Sequence, residues 1–421
     1  MIDTLIKWRR QFHEFPELGW TEFVTTATLV KELRSMGLTV LCGPKVINKD
    51  FIRGRKIVEV RKSLERAKLK ENIDHQILEE MEEITGCVAI YNSGIEGPTI
   101  AIRCDIDCVG VGESLQPEHY PHSMGFASKI PNQMHACGHD GHMTIGLGIA
   151  KWLTSSPKPG IKGKVKLLFQ PAEEGVRGAR PMAESGIVDD VDYYLSSHIG
   201  FIAGDREIVL NPFNFLCTTK YDFTFKGKPA HSGAEPHVGK NALLGACHAT
   251  TQMMGIPRHG KGMSRVNVGV LRAGEGRNVI PSLAEMQIEV RGETQEINDF
   301  MCQEVERIAK GAAMSFDLEL SIEIMGEAVD LVNDQYLVDL LSQCVTKHAL
   351  KPIANKSFGG SEDSTILAKR VQNRGGKSIY FVCGSILDGG HHQSTFNFNE
   401  KDLETFVNLY IEFIQNIIEK H

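Results

Sequence analysis

The sequence predicts an α/β protein built on a mixed sheet, with a smaller α+β domain inserted into it. Three observations carry this. Short apolar runs alternate with helix-period segments up to about residue 200, the pattern of a sheet with crossover helices. Near Phe215 the texture changes to strands that alternate apolar and polar side chains. Polar residues gather where the apolar runs end, which is where such sheets place their sites. Residues 1–214 and 329–421 are expected to form the main domain, and 215–328 the insert.

In chain order, 3–15 and 21–36 read as helices; the second places Phe23, Leu29, Val30 and Leu33 at helical spacing and stops at Gly37. Residues 52–83 are helical and densely charged, with both signs mixed (Arg53, Arg55, Lys56, Glu59, then Glu79, Glu80, Glu82, Glu83). A solvated hairpin fits them better than a partner-binding arm. Strands are expected at 87–91, 99–103, 165–169 and 193–198, and a helix up to Leu153. In the insert, strands are expected at 218–226, 285–291 and 317–325, with helices at 238–254 and 294–313. Then come a helix at 333–348, a strand at 378–383 and a last helix at 399–419. That last helix gathers Leu403, Phe406, Val407, Tyr410, Ile414, Ile417 and Ile418 on one face.

Composition narrows the classes. A chain of 421 residues implies two domains. It is 42% hydrophobic and 24% charged, in the ordinary globular range. A net charge of -7 without a basic stripe argues against a nucleic-acid partner. Ten cysteines without paired spacing read as reduced thiols, mostly small core residues. No run of about 18 apolar residues suggests a membrane span. The N-terminal stretch is charged and lacks the apolar core of a signal peptide. The expected location is the cytoplasm.

The densest chemistry lies in His135-Ala136-Cys137-Gly138-His139-Asp140-Gly141-His142. Thiolate and imidazole are the preferred ligands of zinc-like ions. In an extended segment Cys137 and His139 would point the same way. Further polar strand ends are Asp105/Asp107, Glu173/Glu174, His198 and His391/His392. Each has an ordinary alternative: a turn, a helix start or a buried histidine. Together they supply ligands for two metal ions and a spare carboxylate. Adjacent glutamates after a strand face opposite ways, so one can bind metal while the other holds a water, as metal-assisted hydrolysis needs.

With Gln170-Pro171-Ala172-Glu173-Glu174-Gly175, Ser197-His198-Ile199-Gly200, Lys228-Pro229-Ala230-His231 and Gly276-Arg277-Asn278-Val279-Ile280-Pro281, the octamer resembles the aminoacylase-type branch of the M20 metallopeptidase family. The resemblance runs over nearly the whole chain. It implies a metallopeptidase-type α/β catalytic domain with an inserted lid and dimerisation domain. It also implies two divalent ions, manganese or zinc. By this resemblance Cys137, His139, Glu174, His198 and His392 are metal ligands, His391 being the neighbour of the last. Glu173 is the general base. Asp107 orients a ligand, with Asp105 nearby. His135, Asp140 and His142 support from behind. His231 stabilises the oxyanion and reaches into a partner subunit's site. Asn278 and Arg291, with the loop at Gly360, contact the substrate or its carboxylate. Cys104 and Cys108 stand where relatives carry smaller residues, and read as core.

The implied activity is hydrolysis of an N-acyl or aryl amide of an amino acid. Ser264–Val270, Gly360–Asp363, Gly390–His392 and the charged stretch at 44–85 make the resemblance nearest to members that act on p-aminobenzoyl-glutamate, and the resemblance implies that substrate. The alternatives are a deacetylase or dipeptidase of the same family, or a chain that works only with a paralogous second subunit. The expected assembly is a homodimer through the insert.

Overall fold

The computed structural model describes residues 1–156 and 160–421. They form two compact units. The first comprises Met1–Phe213, Leu331–Phe358 and Asp363–His421, and the second Asn214–Asp330 with Gly359–Glu362. Among the described residues no helix is long and apolar enough to cross a membrane.

The first unit's sheet opens with β1 (Thr39–Cys42), β2 (Cys87–Asn92), β3 (Thr99–Asp105), β4 (Lys164–Gln170), β5 (Tyr193–Ile199) and β6 (Glu207–Phe213). The second unit supplies β7 (Cys217–Lys226), β8 (Ser264–Ala273), β9 (Leu283–Gly292) and β10 (Glu319–Ala328). The chain then returns to the first sheet with β11 (Lys351–Ser357) and β12 (Lys377–Cys383). The first sheet runs in the order β1-β2-β4-β3-β5-β12-β6-β11. Its centre, β4, β3, β5 and β12, is parallel. Every residue of β3 and of β5 is buried, which is why these strands read as continuous apolar runs. Because the central strands are parallel, their carboxyl ends share one edge, and Asp105, Gln170 and Ile199 all end there.

Four of these strands lie outside the expected set. β1 has only four residues, β6 carries a proline, β8 has just two buried residues, and β11 (Lys-Pro-Ile-Ala-Asn-Lys-Ser) is almost wholly exposed at the sheet edge. β1, β8 and β11 are edge strands, which need no continuous apolar face, and in β6 the proline interrupts a short apolar run.

The helix His139–Leu153 packs against both Ile2–His13 and Asp402–Lys420. It is buried nearly all round. A Cβ at Gly146 would stand 2.9 Å from Cys104 Sγ and from Phe169, so the small residue lets the helix lie close on the sheet. Cys104 is thus a core residue, as expected. On Asp402–Lys420, Leu403, Phe406, Val407, Tyr410, Phe413, Ile414 and Ile417 are buried; each large apolar side chain so placed contributes about 1.5–3 kcal/mol.

The charged stretch forms two helices, Ile57–Lys68 and His75–Glu80, the latter capped by Asp74. Only Val60, Ser63 and Ala67 of the longer one are buried, and its charges face solvent except Arg66, which reaches the buried Glu17 at 3.3 Å.

The second unit is an antiparallel sheet, β10-β7-β9-β8. Alternate residues of β7 and β9 (Phe223, Phe225, Met286, Ile288, Val290) share a core with Met301 and Val305 of the helix Gln295–Ser315. The helix expected from 238 begins at Ala242 instead. The Asn241 side chain accepts from Leu244 N at 3.1 Å and caps it there.

Candidate metal centre

The site is assembled where β3, β4 and β5 end. Asp105, with no exposed surface, accepts from Arg103 Nη1 at 2.6 Å and His142 Nδ1 at 2.5 Å. Burial works against its charge, but His139, His142 and Arg103 outweigh it and hold the carboxyl well below its usual range. Two residues on, the Asp107 carboxylate accepts the backbone N–H groups of Glu173 (3.1 Å) and Glu174 (3.0 Å). One carboxylate on the β3 end therefore fixes the turn after β4. That turn is tight, with Ala172 at φ 52°, and Ala172 N donates to the buried Glu22 at 2.8 Å. Burial, and then the neighbouring Asp107 charge, push Glu22 up to about 8.

Cys137 and His139 are not brought together by an extended segment, as their spacing suggested. Gly138 stands between them in the left-handed region, φ 90°, as the N-cap of the helix that His139 begins. Only glycine takes that conformation freely, and the resulting bend aims both side chains into the same buried space.

The histidines sort by what each ring nitrogen meets. His139 Nδ1 donates to the Asp107 carbonyl at 2.9 Å, and its buried Nε2 has no hydrogen-bond partner. His198 Nδ1 donates to the Ile199 carbonyl at 2.8 Å, leaving Nε2 3.5 Å from Cys137 Sγ. One nitrogen locked on a carbonyl and the other turned into the site, bare in His139 and against the Cys137 sulfur in His198, is the arrangement of metal-ligating histidines. His142 differs, because Nδ1 donates to Asp105 and Nε2 accepts from Ile199 N at 3.0 Å. It orients its neighbours and has no lone pair left for an ion.

His392, at φ 62°, brings Nε2 within 3.1 Å of Glu174 Oε1. That oxygen is buried and lacks a directed hydrogen bond, so the contact is an ion pair. The Cys137 sulfur, and then the Glu174 carboxylate, raise His392 to about 10. Burial pushes the Cys137 thiol up. Ligand atoms of Cys137, Glu174 and His392 lie within 4.8 Å of one another. So do those of His139, Glu173 and Glu174, and those of Cys137, His198 and His391. Buried donors without partners, and a mixed sulfur, nitrogen and oxygen set, fit divalent metal ions. His391 also donates Nε2 to the Ile199 carbonyl at 3.1 Å.

Behind this set lies a buried ionic network that local sequence patterns do not reveal. Asp140 accepts from Arg9 Nε at 2.9 Å and from His13 Nδ1 at 2.8 Å. Arg9 also reaches Asn397 (2.7 Å) and Glu400 (3.1 Å) and lies 4.4 Å from the Phe398 ring centroid. Asp363, which ends the Gly360-Ser361-Glu362-Asp363 motif but has no role assigned from the sequence, takes Arg103 Nη2 at 3.1 Å and the N–H groups of Gly178 and Ala179. His135 is buried with both ring nitrogens unsatisfied, and burial lowers it to about 3.

Beside Glu174 opens a cavity of about 490 Å³, lined among others by Trp20, Lys56, Val60, Cys108 and Arg177. Arg177 ties the charged stretch to the site, with Nε on the Glu174 carbonyl (2.9 Å) and Nη1 on the Gly54 carbonyl (3.2 Å).

The remaining candidates belong to the second unit. His231 is exposed; its Nδ1 accepts from Gly233 N (3.2 Å) and Ala234 N (3.1 Å), which leaves the proton on Nε2. Asn278, also exposed, accepts from Ser232 N at 3.0 Å through its carbonyl. Arg291 is forked onto Glu289 at 3.0 and 3.1 Å. The Gly360 carbonyl accepts from Leu216 N at 2.8 Å.

Known proteins resemble the chain over most of its length. Residues 101–416 match the model of Peptidase family M20/M25/M40. A Haemophilus influenzae protein, named as the homologue of one subunit of p-aminobenzoyl-glutamate hydrolase, is 52% identical over 420 residues, 99% of each chain. The crystal structure of an aminobenzoyl-glutamate utilization protein from Klebsiella pneumoniae matches with TM-score 0.82 and 33% identity, over 99% of this chain and 95% of that one. A Bacillus subtilis protein described as a dinuclear metal binding peptidase from the M20 family shares the fold, with TM-score 0.69 and 22% identity over 100% of this chain and 99% of that one. Sequence and fold thus lead to one conclusion: the chain belongs to the M20/M25/M40 peptidase family and is a hydrolase.

Proposed function

We propose that the chain is a metal-dependent amidohydrolase that cleaves p-aminobenzoyl-glutamate. The observation that carries this is the convergence of Cys137 Sγ, His139 Nε2 and Glu174 Oε1 in buried space beside Glu173, with His139 Nε2 left without a hydrogen-bond partner. The name of the Haemophilus influenzae relative supports the substrate.

Cys137, His139, Glu174, His198 and His392 would hold two divalent ions, zinc or manganese. Bound there, the ions would polarise the amide carbonyl and acidify water. Glu173 acts as the general base. Its Oε2 lies 3.9 Å from His139 Nε2, and its side chain keeps 13% exposure, enough to meet a water. It removes the proton from the attacking water and delivers it to the leaving nitrogen. Asp107 keeps Glu173 and Glu174 in register by holding both backbone N–H groups.

His231, with its proton on Nε2, donates to the oxyanion from the partner subunit of a homodimer. Asn278, Arg291 and the Gly360 loop bind the substrate and its carboxylate. Arg291 does so by exchanging Glu289 for the ligand, since both offer the same bidentate geometry. A relative named after one subunit of its enzyme favours a second reading, in which this chain acts only with a paralogous partner.

Glu173→Gln tests the assignment. The purified variant should keep its metal content while turnover of p-aminobenzoyl-glutamate falls about 10²- to 10⁴-fold. Retained turnover would remove Glu173 from the mechanism. A wild-type chain inactive alone but active with an added paralogue would select the second reading.

A further inference from the structure

The turn after β5 presents a side chain that this chemistry does not use. Phe201 stands three residues beyond His198, at φ 59°. A bulky residue in the left-handed region stores strain, and such strain gathers at functional sites. Burial does not compensate it here, because Phe201 is 45% exposed.

Its surroundings are aromatic. The Phe201 ring stacks on Phe358, with centroids 5.0 Å apart and planes 4° from parallel. It meets His198 edge-on at 5.2 Å and His391 at 4.9 Å. Behind these, Phe358 abuts the buried Tyr380, and His391 abuts the buried Phe396. Gly200 presses the turn against this group, for a Cβ there would stand 2.9 Å from His391 Cε1. Phe201 is therefore the outward end of an aromatic column rooted in the core, touching two histidines of the candidate centre.

We infer that Phe201, backed by Phe358, is a specificity-determining platform that stacks the aryl ring of an arylamide substrate beside His198. This rests on the amidohydrolase reading above. In a benzoyl amide the ring is bonded directly to the scissile carbonyl, so it must lie immediately beside the centre. An aromatic face against His198 stands where such a ring has to go. An acetyl group offers no ring to stack.

Two measurements on Phe201→Gly test this; glycine takes the backbone conformation without strain, so folding is preserved. With metal-loaded enzyme, the ratio of kcat/KM for p-aminobenzoyl-glutamate to that for N-acetyl-glutamate should fall about 3- to 10-fold, through KM. Phe201→Tyr should restore it. With metal-free protein, saturation-transfer NMR should show magnetisation passing from the wild type to the ring protons of p-aminobenzoate, and much less passing from Phe201→Gly. An unchanged ratio with unchanged transfer overturns the platform. If the wild type hydrolyses neither amide, the amidohydrolase reading fails by itself. The NMR experiment then decides the platform: transfer abolished by Phe201→Gly supports it, and transfer that is missing in the wild type or unchanged in the variant rejects it.

Discussion

The candidate residues of the two units are held in opposite ways. In the first unit each side chain is locked by another: Asp107 by two backbone N–H groups, His139 by the Asp107 carbonyl, His142 by Asp105 and Ile199 N. In the second unit His231 and Asn278 are exposed, and Arg291 is satisfied by Glu289. Buried polar side chains need fixed partners, because unpaired groups there are costly, so an atom left bare among them, such as His139 Nε2, is available to an ion. An exposed donor bears no such cost and can wait for what it meets. The first arrangement suits a metal centre, and the second suits groups that act on an arriving substrate or partner chain.

The largest expected effect tests the division of labour itself. Glu173→Gln and His231→Ala chains, each inactive alone, should regain a substantial part of wild-type turnover when mixed and allowed to exchange subunits. Recovery requires that His231 serve another chain's centre. Absence of recovery in verified mixed dimers would make each chain self-contained, or give His231 another role.

A smaller effect compares ion pairs. Arg9→Ala leaves Asp140 and Glu400 buried without their guanidinium, which should cost about 3–5 kcal/mol in denaturant unfolding. The Arg307–Glu304 pair on the second unit's helix is exposed, and Arg307→Ala should leave the midpoint where it was. Equal effects would show that the buried network does not stabilise the centre's frame.

This contrast also separates what is legible in the sequence from what is not. The central strands are visible because both their faces are covered, and β11 is hidden because neither is. Cys137, His139, Glu174 and His198 stand out as metal-binding residue types grouped beside glycines or strand ends. Arg9 and His13 do not, since their partners lie a hundred residues or more away and nothing in an amphipathic helix marks a buried arginine. Phe201 is silent for another reason. A lone phenylalanine after a strand has no pattern, and its significance lies in a backbone angle and in rings contributed by 358 and 391.

The smallest expected effect concerns protons. His13 is fully buried between Asp140 (2.8 Å) and Glu113 (2.9 Å), with Arg9 nearby and His119 on the far side of Glu113. Burial opposes its charge, but the two carboxylates outweigh it and raise the imidazole above its ordinary value of 6.5. The sign follows from which state holds the proton. Below about pH 6.5 both folded and unfolded chains carry it, so the stabilisation is fully present. Above that, the unfolded chain releases its proton while the folded chain keeps it. The contribution is therefore lost as pH rises toward the folded value, by no more than about 1.4 kcal/mol per pH unit. His13→Gln cannot titrate. The stability difference between wild type and His13→Gln, measured by urea unfolding, should accordingly shrink between pH 6 and 8.5. A difference that stays constant would mean that His13 is neutral in the fold, and that Arg9 alone balances Asp140.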